Sequence, residues 1–327
     1  MNRRSFIVGA AALAAARSFA SHGAKEKVVL DTDIGVDIDD AIALSYLLAE
    51  PRCDLVGVTT VGGRPELRAE MASAVCTAFG RPDIPIHPGE DRALVYKRKP
   101  LDPALARTLG GLPRKKFAAD GSAVAFLRRT LRENPGEITL VAVAPFTNVA
   151  RLFLSDPEAA GLLKGVVAMG GRFFSEVPKP EWNIMCDPEA TVVAFGPGGC
   201  GRVRETVFHG LDVTADTVRK PKELLELVRG TASLAFLAPS AELYFATHPC
   251  YEESGKALHD PLACVSMFHP GVCAYRRGHA RFTLGGDDIV HSRFVEDPNG
   301  RQLAATSADV AKFYDILRQT MSAERGK

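Results

Sequence analysis

The feature that most constrains the fold is an alternation of short β-branched runs with amphipathic runs. Near the N-terminus this pattern predicts strand, helix, strand, helix and strand, at residues 27–31, 40–49, 55–61, 66–79 and 84–87. Strands separated by helices indicate parallel neighbours joined by crossover connections. We therefore expect one large α/β domain with an open, mostly parallel, Rossmann-like sheet and helices on both faces.

The alternation resumes after a long loop. It predicts helix, strand, helix, strand, helix and strand, at residues 123–131, 138–143, 148–154, 165–169, 188–195 and 203–208. The elements predicted beyond this point are all helices, at residues 224–228, 232–246, 261–268 and 308–321.

Composition excludes several classes of protein. The 327 residues, 46% of them hydrophobic, can bury a large core and are not those of a disordered chain. The 40 basic residues nearly balance the 39 acidic ones, so no overall basic field attracts nucleic acid. Residues 6–16 form an uncharged apolar run that is too short to cross a bilayer. We expect no nucleic-acid partner and no membrane association of the mature form.

The N-terminus has the organisation of an export signal. Arg3 and Arg4 precede the apolar run, and the small residues Ser18 and Ala20 follow it, as at a cleavage site. The arginine pair before Ser-Phe-Ile resembles a twin-arginine signal. We predict that residues 1–20 are a signal peptide, that residues 21–327 form the α/β domain, and that the protein is periplasmic. A membrane-anchored or buried first helix is the alternative.

The seven cysteines show no spacing suited to zinc. We interpret them as scattered small core residues. A disulfide among Cys250, Cys264 and Cys273 stays open, because the predicted compartment is oxidising.

An acidic cluster follows the first predicted strand and is the strongest local signal. Five carboxylates occur within ten residues, at Asp31, Asp33, Asp37, Asp39 and Asp40. Crowded carboxylates repel one another unless a hard divalent cation with oxygen ligands neutralises them. A solvated loop that caps a helix is the alternative, but a cap needs only one acid. The segment is not an EF-hand, because Gly35 and Ile42 occupy the wrong positions for that loop.

Further candidate residues lie at or near ends of the predicted strands and starts of the helices. They are Thr147-Asn148, Gly170-Gly171, Glu181-Trp182-Asn183 and His259-Asp260. Ligands of open α/β sheets bind in the crevice at the carboxyl ends of the strands. All of these residues can therefore face one site.

Together these motifs resemble the inosine–uridine-preferring nucleoside hydrolase family. The similarity runs in order from Val28 to about Ala263. The matching motifs are the four acids Asp31, Asp33, Asp39 and Asp40, with a two-residue insertion at Asp37-Ile38, then Met169-Gly-Gly171, Glu181-Trp-Asn183 and His259-Asp260-Pro261.

The resemblance implies a role for each matching residue. Asp33, Asp40, Asp260 and the main-chain carbonyl of Thr147 would hold one Ca²⁺, with Asp31 close by. Asp33 would also take a proton from the attacking water. His259 would assist the departing base as a proton donor. The residues implied to bind the ribose hydroxyls are Asp39, Glu181, Asn183 and Asp260.

These residue types suit hydrolysis of an N-glycosidic bond in a ribonucleoside, which releases the base and ribose. The bond breaks through a state resembling an oxocarbenium ion, and carboxylates stabilise its positive charge. A calcium ion activates water. We also expect a homo-oligomer, either a dimer or a tetramer.

Two positions depart from the family pattern. Arg64 and Ser175 stand where the family usually has asparagine that contacts the sugar or the water. Arg64 would reach the sugar or the metal, bind an acidic group on an unusual riboside, or point outward. Arg172 is a second candidate for an anion contact. The alternative for both arginines is a surface salt bridge.

Two other functions compete with nucleoside hydrolysis. A haloacid-dehalogenase-like phosphatase would use Asp31 as nucleophile with Mg²⁺ and residues 286–288 as its late acidic motif. An exported riboside-binding protein with a degraded hydrolase site would bind its ligand without turnover.

Overall fold

The computed structural model describes residues 24–95, 101–109, 111–175, 180–196, 203–284 and 290–323. The predicted signal peptide and residues 286–288 lie outside these ranges. None of the helices in the described ranges combines the length and the apolar character needed to span a bilayer.

The described strands form one sheet of nine strands in the order β3-β2-β1-β4-β5-β6-β9-β7-β8. They are β1 (Glu26–Thr32), β2 (Cys53–Thr60), β3 (Ile86–Pro88), β4 (Ile138–Ala142), β5 (Gly165–Met169), β6 (Thr206–His209), β7 (Cys273–Leu284), β8 (Val290–Glu296) and β9 (Gln302–Ala308). All neighbours from β3 to β9 pair in parallel, whereas β7 pairs antiparallel with both β8 and β9. The strand order reverses between β1 and β4, which places the switch point of the sheet there.

Helices cover both faces of the sheet. They are α1 (Asp39–Ala49), α2 (Pro65–Ala78), α3 (Ala123–Glu133), α4 (Thr147–Ser155), α5 (Ala159–Leu162), α6 (Trp182–Cys186), α7 (Pro188–Phe195), α8 (Leu211–Thr214), α9 (Pro221–Gly230), α10 (Ala238–Thr247), α11 (Cys250–Ser254), α12 (His259–Phe268) and α13 (Val310–Ser322). The predicted fold class, a mostly parallel α/β sheet in a single domain, is confirmed.

The period of two in β1 divides the core. Val28 and Leu30 lie in a cluster with α1, α2, α12 and α13, whereas Val29 lies in a second cluster with α3, α4 and α7. Both faces of the central strands are therefore buried, which explains why they are continuous apolar runs instead of alternating ones.

The C-terminal region differs from the sequence prediction. The pattern predicts no strand there, yet β7, β8 and β9 span most of residues 273–308. β7 is rich in arginine, and β8 is an edge strand with exposed positions, so neither has the apolar signature of a buried strand. The disulfide that the sequence left open among Cys250, Cys264 and Cys273 is not formed, and all three are free thiols.

Two predicted helices begin later than the sequence pattern indicates. The helix expected at residues 232–246 is divided into a 3₁₀ turn, Ala235–Leu237, and α10, which has a proline in its first turn. The last helix begins at Val310, not at residue 308, because the Asp309 side chain caps it by accepting from the Lys312 amide at 3.0 Å.

Candidate active site

A cleft of about 570 Å³ opens at the carboxyl ends of the central strands. Residues from the β1–α1 loop, the ends of β4 and β5, α6 and the start of α12 line it. This volume suits a small organic ligand. The switch point therefore coincides with the place where the sequence predicts the site.

Three carboxylates converge in the cleft. Ligand atoms of Asp39, Asp40 and Asp260 lie within 4.8 Å of one another. They meet because α1, which begins at Asp39, packs against α12, which begins at His259. Burial, and then the neighbouring carboxylates, raise the pKa of Asp40 and Asp260 well above the usual value. Ionising all three carboxylates together costs considerable free energy unless a cation neutralises their charge.

Asp31 lies near the end of β1, ahead of the acidic loop, and is fully buried. Its Oδ1 atom accepts from the Thr59 hydroxyl at 2.6 Å and from the Asn148 amide at 2.7 Å. Its Oδ2 atom is buried without a hydrogen-bond partner. Burial raises the pKa of Asp31 to about 7. An orphaned carboxylate oxygen next to the charge of Asp33 fits a hard divalent cation, which takes oxygen ligands.

The remaining predicted metal ligands lie next to this group. Asp33 lines both the cleft and a smaller adjoining cavity of about 40 Å³, which Thr147 also lines. Burial raises the pKa of Asp33 to about 6, although the Arg68 guanidinium acts in the opposite direction. The structure thus brings Asp40 and Asp260 together with Asp39, which the sequence assigns to the ribose.

Glu181 and Asn183 are held by main-chain groups. The Glu181 carboxylate caps α6, accepting from the amides of Asn183 at 2.8 Å, Ile184 at 3.1 Å and Gly171 at 3.2 Å. Burial nevertheless raises the pKa of Glu181 to about 7. The side-chain Nδ2 of Asn183 donates to the carbonyls of Val143 and Met169, both at 3.1 Å. The side-chain oxygen of Asn183 is left to accept from a ligand.

His259 lies at the start of α12. Its Nδ1 is 2.8 Å from the Thr214 hydroxyl, and its main-chain amide donates to Asp39 Oδ2 at 3.1 Å. Burial, and then the nearby Lys256 ammonium, lower the pKa of His259 to about 3. The imidazole is therefore neutral at physiological pH.

Lys256 is a cation of the cleft that sequence reasoning missed. It is only 2% exposed, and its ammonium lies 2.5 Å from Asp37 and 3.2 Å from Asp39. Although burial lowers the pKa of Lys256, the two carboxylates raise it well above the usual value. The two-residue insertion that contains Asp37 adds a further carboxylate to the acidic loop. That extra negative charge is the sequence signal that could have indicated a nearby cation.

Arg68 is the second missed cation. It is 2% exposed and donates only to main-chain carbonyls, those of Gly62, Gly63, Asp33, Ile34 and Leu101. These carbonyls belong to three segments, which are the acidic loop, the turn after β2 and the segment that contains Leu101. Arg68 thereby joins three segments of the cleft wall.

Arg64, Ser175 and Arg172 differ in their positions relative to the cleft. Arg64 points outward: its side chain is 53% exposed and lies 3.2 Å from Glu66 and 3.9 Å from Asp102, in agreement with the salt-bridge alternative. Ser175 is also exposed. Only Arg172 lines the cleft.

The nine-stranded α/β sheet and the carboxylate-lined cleft at its switch point define an enzyme of nucleoside hydrolase type. The chain belongs to the inosine–uridine preferring nucleoside hydrolase family, whose model matches residues 28–315. It is a hydrolase of N-glycosyl bonds, as the motifs predict. The phosphatase hypothesis is not favoured, and Asp31, its required nucleophile, is fully buried and tied to Thr59 and Asn148.

Similar proteins support this family. The chain is 31% identical over 277 residues to a probable uridine nucleosidase 2 from Arabidopsis thaliana, covering 81% of this chain and 84% of that one. A solved plant nucleoside hydrolase superposes with a TM-score of 0.78 at 27% identity, covering 91% of this chain and 99% of the other. A purine-preferring ribonucleoside hydrolase from Gardnerella vaginalis gives 0.76 at 25% identity, covering 91% and 98%. One name specifies uridine and another specifies purines, so the base stays open.

Proposed function

We propose that this protein hydrolyses the N-glycosidic bond of ribonucleosides or related ribosides in a Ca²⁺-dependent reaction. The observation that carries this proposal is the convergence of Asp39, Asp40 and Asp260. Asp33, Asp40, Asp260 and the Thr147 carbonyl would hold the ion, with Asp31 adjacent. When bound, a calcium ion orients the attacking water and makes it more acidic.

The protein side chains bind and orient the sugar. Asp39, Glu181, Asn183 and Asp260 accept hydrogen bonds from the ribose hydroxyls, and the carboxylates among them stabilise the developing oxocarbenium ion. A site built to pair with vicinal hydroxyls selects ribose over deoxyribose, because the missing hydroxyl leaves buried acceptors unpaired. Asp33, with a pKa of about 6, is suited to take a proton from the attacking water near neutral pH.

The departing base meets His259. The imidazole is neutral, and we take its Nδ1, 2.8 Å from the Thr214 hydroxyl, as the acceptor of that contact; its hydrogen is then on Nε2, where it can donate a hydrogen bond to the departing base. His248 and Tyr251 add aromatic faces at the rim of the cleft, and Trp182, which is 42% exposed, adds a third. Such faces stack on any heterocyclic base.

The direct test is a screen for ribose release from a panel of ribonucleosides, with and without a chelator. We expect release from at least one member, loss on chelation and recovery with Ca²⁺. Tight binding of ribosides without release would instead support the non-catalytic alternative.

Replacing His259 by alanine is expected to slow ribose release from inosine by about 100-fold, because a poor leaving base departs more readily when it accepts a hydrogen bond. Hydrolysis of nitrophenyl riboside, whose leaving group departs unaided, should fall less than about fivefold. Steady-state rates on the two substrates decide the matter. Equal losses on both would argue against a donor role.

Calcium affinity is expected to weaken as the pH falls from about 8 to about 5, by at least about tenfold. The pKa of Asp31 is raised to about 7 and that of Asp33 to about 6, so the ion must displace protons at the lower pH. Calorimetric titration at several pH values measures this change. A pH-independent affinity would contradict these carboxylates as ligands.

We also propose that the protein is exported. Changing both Arg3 and Arg4 to lysine is expected to stop export through the twin-arginine route, which requires the arginine pair. Cell fractionation and immunoblotting of the two forms measure this. Undiminished periplasmic delivery of the lysine variant would refute the signal.

A further inference from the structure

Among the described residues, Arg172 differs from the other cations of the cleft because no ion pair joins its side chain to a carboxylate. Its Nε atom is buried without a hydrogen-bond partner. Among the described residues, the ion pairs of the cleft join Lys256 to Asp37 and Asp39, and none includes Arg172. A buried N–H donor without an acceptor costs free energy, and an anion bound in the cleft would supply that acceptor.

The main chain presents Arg172 rigidly. The Arg172 amide donates to the Ser292 hydroxyl at 2.8 Å, and that hydroxyl donates back to the Arg172 carbonyl at 2.9 Å. The next amide, that of Phe173, donates to the Asp212 carboxylate at 2.6 Å. The Arg172 side chain therefore extends from an ordered turn. When a ligand binds, little further conformational entropy of this main-chain segment is lost.

The position of Arg172 places the anion beside the sugar. Arg172 follows Gly171, whose amide donates to Glu181, a residue assigned to the ribose hydroxyls. Lys256 is already neutralised by Asp37 and Asp39, so it does not compete for a ligand anion. The guanidinium fork matches phosphate and carboxylate, both of which accept two parallel hydrogen bonds.

We propose that Arg172 binds an anionic group of the substrate, so that the preferred ribosides carry a phosphate on the ribose or a carboxylate on the base. This inference rests on the proposed nucleosidase function and narrows its substrate class. Arg64, which the sequence also suggested as an anion contact, is excluded because it points outward.

The test compares three substrates that differ only in the anion: uridine, uridine 5′-monophosphate and orotidine. We expect kcat/KM for one of the anionic substrates to exceed that for uridine by about 10- to 100-fold. Arg172→Met should remove this preference, and Arg172→Lys should retain part of it. Arg128→Met is the matched control, because Arg128 is exposed on α3 away from the cleft, and it should leave the preference intact.

The outcomes separate the sources of the anion. Preference for the monophosphate supports a ribose phosphate, and preference for orotidine supports a base carboxylate. Equal or better use of uridine, or a preference that survives Arg172→Met, overturns the inference while the proposed function stands.

A binding measurement separates this inference from the function itself. Calorimetry with ribose 5-phosphate, orotate and ribose needs no turnover. If no member of the ribonucleoside panel, including these three substrates, is hydrolysed, the proposed function fails. Anion binding that is lost in Arg172→Met would then still support Arg172 as the anion contact, and its absence would overturn that too.

Discussion

Replacing Asp260 by asparagine is expected to abolish Ca²⁺ binding and to lower kcat by at least about 1,000-fold. The substitution keeps the side-chain volume but removes one of three converging carboxylates. Asp260 would serve both the metal and the ribose, so its loss affects water activation and sugar binding together. Calorimetric titration with Ca²⁺ and steady-state ribose release measure the two effects.

The same variant has a predicted effect on stability. Because burial raises the pKa of Asp260 well above the usual value, removing its charge should not destabilise the metal-free protein. The stabilisation that Ca²⁺ gives to the wild type should disappear, since a ligand stabilises only the state that binds it. Asp83→Asn, at an exposed carboxylate, is the control and should retain both binding and stabilisation. An unchanged calorimetric titration of Asp260→Asn would refute the metal assignment.

Replacing Arg68 by methionine is expected to lower the free energy of unfolding by about 3–5 kcal/mol. Arg68 is fully buried, and its guanidinium is hydrogen-bonded to five main-chain carbonyls, those of Gly62, Gly63, Asp33, Ile34 and Leu101. Methionine fills a similar volume but leaves these acceptors unpaired. Urea denaturation followed by circular dichroism measures the change.

Arg68→Lys tests whether geometry or charge matters. Lysine keeps the charge but lacks the planar fork, so we expect it to recover only part of the lost stability. The control Arg128→Met, at an exposed position on α3, should change the free energy of unfolding by less than about 0.5 kcal/mol. A loss of under about 1 kcal/mol for Arg68→Met would contradict the tethering role.

The parallel part of the sheet could be predicted because its signal is local. The predicted strand at residues 165–169 matches β5, and the predicted helix at 188–195 matches α7. Burial on both faces makes such strands continuous apolar runs, which contrast with the amphipathic helices between them. The β7–β8 hairpin escaped prediction because arginine and solvent-facing positions remove that contrast.

The candidate site divides in the same way. Asp31, Asp33, Asp39 and Asp40 follow one strand, so their crowding is visible in the sequence. The need for a cation follows from that crowding alone. Asp260 could be added only through its resemblance to a family motif, because nothing local ties it to the acidic loop.

By itself, the sequence determined the α/β class, the acidic turn after the first strand and the chemistry that such a turn favours. Only the tertiary structure decided which arginines and lysines serve the cleft. Lys256 is hydrogen-bonded to Asp37, which lies 219 residues away in the sequence. Arg172 lines the cleft, whereas Arg64 points outward. Hydrophobic periodicity reports which face of an element is buried, but a charged side chain finds its partner through packing of elements distant in sequence. The role of a charged side chain therefore depends on the tertiary structure.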